Sequence, residues 1–572
     1  MGALSFSGVS SRMAPLSMLR SAIRRARLLL ALPLAVALVA GGCRRAEQEN
    51  PAAATQSPPE GPRRGGTVVA GWTAEPAGVN ELILLSSQVN SEIHFRLFRR
   101  LLEEQPDFTD HPPTFAPELA KSWEWSRDHK VLTFHLREDA VWSDGVPVTA
   151  EDVRWTWEAQ IHPDVAWDSV DAKEGKITDV EVVDPHTVRF HFSRVYPAQL
   201  LNANEGVILP KHAWSKLPFS EWRRNADWFR QNLVVSGPFT LASWEPGQQL
   251  VLARNERYYD KELPYLDRVV MRFISDQASL LPQLLSGDLD FAPQITPADV
   301  PRVESSPRLE LRDYWMNLYV AVGWNNEHPL FSDPEVRRAL TLATDRQTIV
   351  DTLLGRFGRV ATSPIPSIVW AHDRSIQPWP YDPKEARRIL AAKGWKDTNG
   401  DGLLDKGGRP FAFELVTNAG NQLRTDAMVM IQDQLKKVGI RVEPRQIEFN
   451  TLATRTTAGD FDATLIGFTM DTSLDLTSGF HSRSIPPEAS NYMRYQSPEV
   501  DRLIEQAATQ AEMEQMKPYL DRIQQILHRE QPLTFLWESQ RLTAINRRVQ
   551  NANPTLLAAF FNLQEWWVRP EP

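Results

Sequence analysis

Hydrophobic positions recur along this chain with two different periods. In residues 131–136, Leu132, Phe134 and Leu136 alternate with more polar neighbours, and in residues 186–192, Val188, Phe190 and Phe192 do the same. A period of two marks a strand with one buried face, so both segments are predicted strands. His135 and His191 then turn away from the apolar rows, toward solvent or a polar surface. Residues 67–70, Thr-Val-Val-Ala, form the predicted first strand. Elsewhere the period is helical and start signals precede it. Thr344 followed by Gln347 reads as a capping box ahead of Ile349, Val350, Leu353 and Leu354, with Gly355 as the stop. Asp382 and Pro383 open a helix whose stripe is Ala386, Ile389 and Leu390, closed by Gly394. Ser497 and Pro498 open another, carrying Val500, Leu503, Ile504 and Ala507. Thr149 and Asp152 cap a further helix, just after a turn at residues 142–145 in which Gly145 takes the left-handed position. Strands and helices alternate along much of the chain, which predicts an α/β architecture. No internal repeat is present.

The start of the chain has neither pattern. Arg20, Arg24, Arg25 and Arg27 precede an unbroken apolar run over residues 28–40, followed by Gly41, Gly42 and Cys43. A cationic segment, a short apolar core and small residues before a cleavage point make an export signal. The run is too short to span a bilayer, which takes about 20 apolar residues. Cys43 is the single cysteine of the chain, so no intrachain disulfide can form, and a lone thiol in an oxidising compartment calls for another fate. Cys43 is therefore predicted to be the lipid-modified first residue of an exported, membrane-anchored bacterial lipoprotein. Residues 1–42 are the expected signal peptide. Residues 43–65, rich in Pro and Ala, are the expected disordered tether. Arg24-Arg25 faintly resembles a twin-arginine signal; general secretion is the plainer reading.

The remaining 530 residues are too many for one hydrophobic core, so two or three lobes are expected. Net charge is −9, and near −14 once the five arginines of residues 1–42 are removed. That surface argues against nucleic acid as a partner and against a polybasic grip on lipid. The chain has no His-Glu-x-x-His, no Gly-x-Ser-x-Gly, no phosphate loop and no dinucleotide fingerprint, so no enzyme class and no cofactor is expected. Asp397, Asn399, Asp401 and Asp405 stand at positions 1, 3, 5 and 9 of a calcium-type loop with Gly402 at position 6. Position 12 is Gly408, so the bidentate Glu is missing, and a turn rich in Asx and Gly is the competing reading.

Several blocks resemble one known family, the solute-binding proteins of bacterial ABC importers in the peptide and nickel class (family 5). The most recognisable runs from Ala120-Lys-Ser-Trp-Glu-Trp through Trp142-Ser-Asp-Gly145 to Thr149-Ala-Glu-Asp152. Leu209-Pro-Lys-His-Ala-Trp214, Ser236-Gly-Pro-Phe239 with Trp244, Phe331-Ser-Asp-Pro-Glu-Val336 and Asn491-Tyr-Met-Arg-Tyr495 come after it in family order. The resemblance implies a class II (cluster C) periplasmic-binding-protein fold of two α/β lobes. Lobe one would hold residues 66–330, with an extra subdomain at about 108–229, and lobe two residues 331–534; residues 535–572 would return to lobe one. Residues 318–325 and 533–537 would be the hinge strands. Ligand would bind between lobes that close over it, and the closed form would dock on a membrane permease served by a cytoplasmic ATPase.

In peptide-binding relatives an Asp ending a Gly-Trp-x-x-Asp motif holds the ligand's α-ammonium. The matching segment here is Gly467-Phe468-Thr469-Met470-Asp471. By this resemblance Asp471 supplies the carboxylate, Gly467 and Thr469 pair with the peptide as an added strand, and Phe468 is a smaller wall in place of Trp. Residues 472–475 lack the Asp-Pro common there. The ligand expected is a short peptide. An oligosaccharide, a nickel chelate or haem, or a sensor or chaperone role without transport, are the alternatives. The scattered His94, His111, His328, His372 and His481 form no metal motif.

Overall fold

The computed structural model describes residues 61–569 apart from 85, 86, 171, 172, 174, 488 and 489. The export signal, Cys43 and the tether as far as residue 60 lie outside the described residues. Two strands are far longer than the rest, Leu309–Trp324 and Leu533–Asn546. At about 3.3 Å per residue the 16-residue strand runs about 50 Å. They pair antiparallel in the middle of an 11-stranded sheet. On one side of the pair lie Ala463–Thr469, Ala412–Asn418 and Arg441–Ile447; on the other lie Phe291–Ala292, Thr67–Trp72, Arg268–Phe273, Gln249–Arg254 and Phe239–Glu245. Residues 319–324 are buried at every position, which explains their unbroken apolar run: a central strand covered on both faces does not alternate.

The long pair is regular from Leu309 opposite Asn546 to Trp315 opposite Gln540, then breaks. Pairing resumes at Tyr319 opposite Glu538, leaving Met316, Asn317 and Leu318 across from Ser539 alone. Such a bulge bends and twists the ladder locally. Apolar packing divides on either side of it. One cluster gathers residues between Val68 and Met271 with Ile545–Val568, and Trp72, Phe291, Phe560 and Trp566 meet ring to ring in it. Another gathers Val320–Val442 with Ala463, Leu465, Leu536 and Trp537.

A separate four-stranded sheet carries the alternating segments, in the order Ala120–Trp125, Val131–Leu136, Thr187–Phe192, Ile177–Asp184. Leu132 faces Phe190 and Phe134 faces Val188, so the two apolar rows form one buried face. On the other face His135 lies 3.6 Å from Glu124, and His191 bonds Glu181 at 3.1 Å. Helix starts obey the chain's signals at Thr149, Asp382 and Ser497. They depart from them at Thr344. The cap there is Asp345, which accepts from the Thr348 amide at 3.0 Å, and the helix is Arg346–Leu353. Thr344 is taken by another bond: its hydroxyl donates to Leu340 O at the end of the preceding helix, Pro334–Leu342.

Buried charges fasten the return of the chain. Asp290, 1% exposed, accepts two bonds of 2.6 Å from Arg548 and one from the Val69 amide. Arg548 also donates to Thr67 O at 3.0 Å. Glu92 accepts from the Ala559 and Phe560 amides. A second buried set lies beside Gly206. Burial pushes Glu81 up to about 7 against the Val207 amide bond that lowers it, His94 down to about 4, and Lys173 down to about 7.

Arg548→Ala leaves Asp290 buried without its cation and is expected to cost about 3–5 kcal/mol in chemical denaturation. Glu81 has its folded pKa above the unfolded value, so its contribution is present below pH 4.5 and is lost as pH rises to about 7. Glu81→Gln is therefore expected to gain stability relative to the parent between pH 4.5 and 7, read as the difference of the two stability–pH curves.

Candidate functional site

The strand Ala463–Thr469 is bonded along its whole length on one edge only. Thr469 to Ala463 pair with Leu318 to Trp324. On the other edge the Ala412–Asn418 strand pairs only with Ala463 and Thr464, and Thr417 reaches Leu465 O with its hydroxyl. From Ile466 to Thr469 that edge has no partner strand among the described residues, and Gly467 and Thr469 are exposed. Unpaired backbone of this kind is a template for another strand.

The bulge in the long pair sets the direction of the chain beyond Thr469. Asn317 O accepts from the Met470 amide at 3.0 Å, and its side-chain amide donates to Met470 O. Asp471 is thereby set at a cavity of about 300 Å³ lined by Asn317, Thr469, Met470, Asp471 and Thr472, by residues between Phe95 and Glu104, by Glu118 and Glu205, and by Leu556–Ala558 and Phe561. One oxygen of Asp471, Oδ1, accepts from the Ser473 amide at 3.0 Å and from its hydroxyl. The other has no protein donor among the described residues.

The cavity is rich in carboxylates. Glu103, Glu104, Glu118, Glu205 and Asp471 line it with Arg96, Arg99 and Arg100. Arg99 grips Glu118 at 2.6 Å and Tyr258 at 2.8 Å, and Arg100 lies over the Phe95 ring at 3.9 Å while its charge acts on Glu104 and Glu118. Glu104 Oε1 is buried with no hydrogen-bond partner among the described residues. Burial drives the Glu104 carboxyl up, the Thr472 hydroxyl and the Arg100 charge oppose, and Glu205 and Asp471 add to the rise. Asp471 keeps surface open to the cavity, yet protein packed around that cavity pushes its carboxyl up as well; Ser473 opposes, and Asp475 and Glu205 reinforce the shift. With five carboxylates against three guanidiniums, the cavity favours a further cation.

The four motif residues are not brought to one wall. Thr469 and Asp471 line the acidic cavity. Gly467 lines a second cavity of about 220 Å³. Phe468 is on the opposite face of the strand, stacked on Tyr319 at 5.2 Å in an apolar cluster with Phe535, so it walls neither cavity. The acidic partners Glu104 and Glu205 carry no sequence signal, because they reach the site from elements hundreds of residues away. The loop holding Asp397, Asn399, Asp401 and Asp405 turns its oxygens inward. Asp397 accepts from the Gly400 and Gly402 amides, Asp401 from Leu403, and Asp405 from Thr398. These are turn bonds, and no group of three or more metal-type side chains is assembled among the described residues.

Two further contacts join distant segments of the chain. Phe108, from the segment after Glu104, is 2% exposed within a cluster otherwise built mainly from Tyr319–Phe535, and its carbonyl accepts from the Trp370 amide at 2.9 Å. Arg194 donates to Ala508 O at 2.9 Å, at the end of the Pro498–Ala507 helix.

Known proteins share this fold. The model of the bacterial extracellular solute-binding proteins, family 5, matches residues 114–525. The oligopeptide-binding protein AppA of Bacillus subtilis is 30% identical over 550 residues, 95% of this chain and 99% of the relative. Its structure in complex with a nonapeptide superposes with a TM-score of 0.76, covering 89% of this chain and 100% of that one. The probable D,D-dipeptide-binding periplasmic protein DdpA of Escherichia coli is 26% identical over 501 residues, 86% of this chain and 93% of the relative. NikZ of Campylobacter jejuni, solved with Ni(L-His), has a TM-score of 0.76 at 25% identity, over 87% of this chain and 99% of that one. With its two-lobe α/β fold, the chain belongs to family 5 of the bacterial extracellular solute-binding proteins of ABC importers, extracytoplasmic receptors rather than enzymes.

Proposed function

We propose that this protein captures a short peptide in the cleft and delivers it, unaltered, to a membrane permease powered by a cytoplasmic ATPase. The observation that carries the reading is the open strand edge from Ile466 to Thr469 that ends at Asp471 over an acidic cavity. The peptide main chain adds to that edge through Gly467 and Thr469. Its α-ammonium meets the free oxygen of Asp471, with Glu104 opposite. A cation held between carboxylates from both sides of the cleft stabilises the closed arrangement by its differential affinity. The likeness to an oligopeptide-binding protein solved with a nonapeptide supports a peptide over a metal chelate. The mature protein is held at the membrane through acyl chains on Cys43, with residues 44–65 as the tether.

Calorimetric titration with tetra-alanine tests the anchor. Asp471→Asn is expected to lower affinity at least ten-fold, the scale of a lost charge-assisted bond. N-acetylated tetra-alanine should bind the parent weakly and be indifferent to the substitution; unchanged affinity for the free amine in the variant removes this role. Because Asp471 is held above the ordinary aspartate range when free, protonation competes with the ammonium. Affinity should therefore fall on acidification from a higher pH than an exposed aspartate gives, and Asp471→Asn should flatten that dependence. Mass spectrometry of the membrane-extracted protein is expected to show an acylated N-terminal Cys43, and Cys43→Ser should leave the protein in the soluble fraction.

A further inference from the structure

The cavity at Asp471 presents more unanswered acceptors than one ammonium can meet. Of its carboxylates, Glu118 is taken by Arg99 at 2.6 Å. Among the charges acting on Arg96 the largest is Glu92, which does not line the cavity. Arg100 acts on Glu104 and Glu118 by charge, but it stands within ion-pair distance of no carboxylate among the described residues. Gln105 and Gln160 donate to the backbone oxygens of Glu103 and Glu205. The two carboxylates themselves have no hydrogen bond or ion pair among the described residues. Glu104 Oε1 and Asn317 Oδ1 are buried acceptors without a donor, the second on a residue 6% exposed that lines the same cavity. Burial is the largest cause holding the Glu104 and Asp471 carboxyls up, and the Glu205 charge adds to both. An ammonium brings three donors and one charge. Placed at the free oxygen of Asp471, it leaves Glu104 and Glu205 with only Arg100 to share.

The remaining wall indicates how a second cation would be carried. Phe95, Phe98, Leu556, Leu557 and Phe561 give the cavity apolar surface. The methylene stem of a lysine or arginine lies along such surface while its head reaches a polar partner. A ligand strand added at Ile466–Thr469 leaves this cavity after its first residue, since Gly467 already lines the other one. Only the first side chain therefore stays among the carboxylates. We infer that the acidic cavity takes two cations of one ligand, the α-ammonium at Asp471 and a side-chain cation between Glu104 and Glu205, so that the protein prefers peptides beginning with lysine or arginine. This rests on the reading of the cleft as a peptide site. A free diamine carries the same pair of charges, and the test separates the two sources.

The full chain is titrated with Lys-Ala-Ala-Ala, with the same peptide carrying norleucine in place of lysine, with Ala-Ala-Ala-Lys, with tetra-alanine and with cadaverine. The parent is expected to bind Lys-Ala-Ala-Ala about ten-fold or more tightly than the norleucine peptide, which keeps the stem and loses the charge. Glu205→Gln should shrink that ratio, Glu104→Gln combined with Glu205→Gln should erase it, and Glu205→Asp, which retains the charge and checks the fold, should keep part of it. Equal binding of the lysine and norleucine peptides by the parent overturns the inference. So does a ratio that persists in the double variant. So does an equal gain of Ala-Ala-Ala-Lys over tetra-alanine, because the charge then acts from anywhere on an acidic protein. Should the Gln variants not fold, the parent's ratios alone decide. If the lysine and norleucine peptides bind equally while N-acetylation weakens both, the peptide reading stands and only this inference falls. If cadaverine binds and every peptide fails at millimolar concentration, the two-cation cavity stands and the peptide reading falls. If no probe binds, both fall.

Discussion

The pairing of Leu309–Trp324 with Leu533–Asn546 is the constraint on which the rest depends. Every other strand of the main sheet is attached directly or indirectly to one of these two, and each apolar cluster flanking the sheet closes on them. A continuous ladder of that length resists bending. Besides a smaller register shift between Val320 and Ala321, the ladder is interrupted at Met316–Leu318, where three residues face one. That place adjoins both cavities: Asn317 borders the acidic one, and Met316 and Leu318 border the one at Gly467. The break in the ladder and the walls of the two cavities thus share the same few residues.

Packing between distant segments also ties the molecule together. Phe108 leaves its own segment to fill a cluster built from distant parts of the chain, and burying a phenylalanine of this kind contributes about 1.5–3 kcal/mol. The bonds from Trp370 to Phe108 O and from Arg194 to Ala508 O add smaller, partly solvated terms. Against these stand the like charges at Glu104, Glu205 and Asp471, with Glu205 and Asp471 raising the Glu104 carboxyl.

Much of the scaffold was legible in the chain, because it is locally determined. Alternation named the strands that became one buried face, and Asp382, Ser497 and Thr149 cap helices where their side chains imply. Thr344 misled because a tertiary fact decided it: the preceding helix takes its hydroxyl, and Asp345 is an equally good acceptor one residue on. The site was legible only on one side. Asp471 could be picked out from its motif, but the sides of its strand could not be assigned without knowing which edge is covered. Gly467 and Thr469 consequently serve different cavities, and Phe468 serves packing. Glu104 and Glu205 have unremarkable neighbours in sequence, and only the fold gathers them at Asp471.

The charge layout also bears on which charges of an acidic protein can discriminate between ligands. A net charge of −9 attracts cations over the whole surface, but exposed carboxylates are screened within about 8–10 Å at physiological salt and discriminate little. Discrimination needs groups that water cannot satisfy. Glu104 Oε1 meets that condition, being buried with no protein partner among the described residues. Leaving it unmet costs the desolvation of a charge, a larger quantity than the gain from any exposed pair.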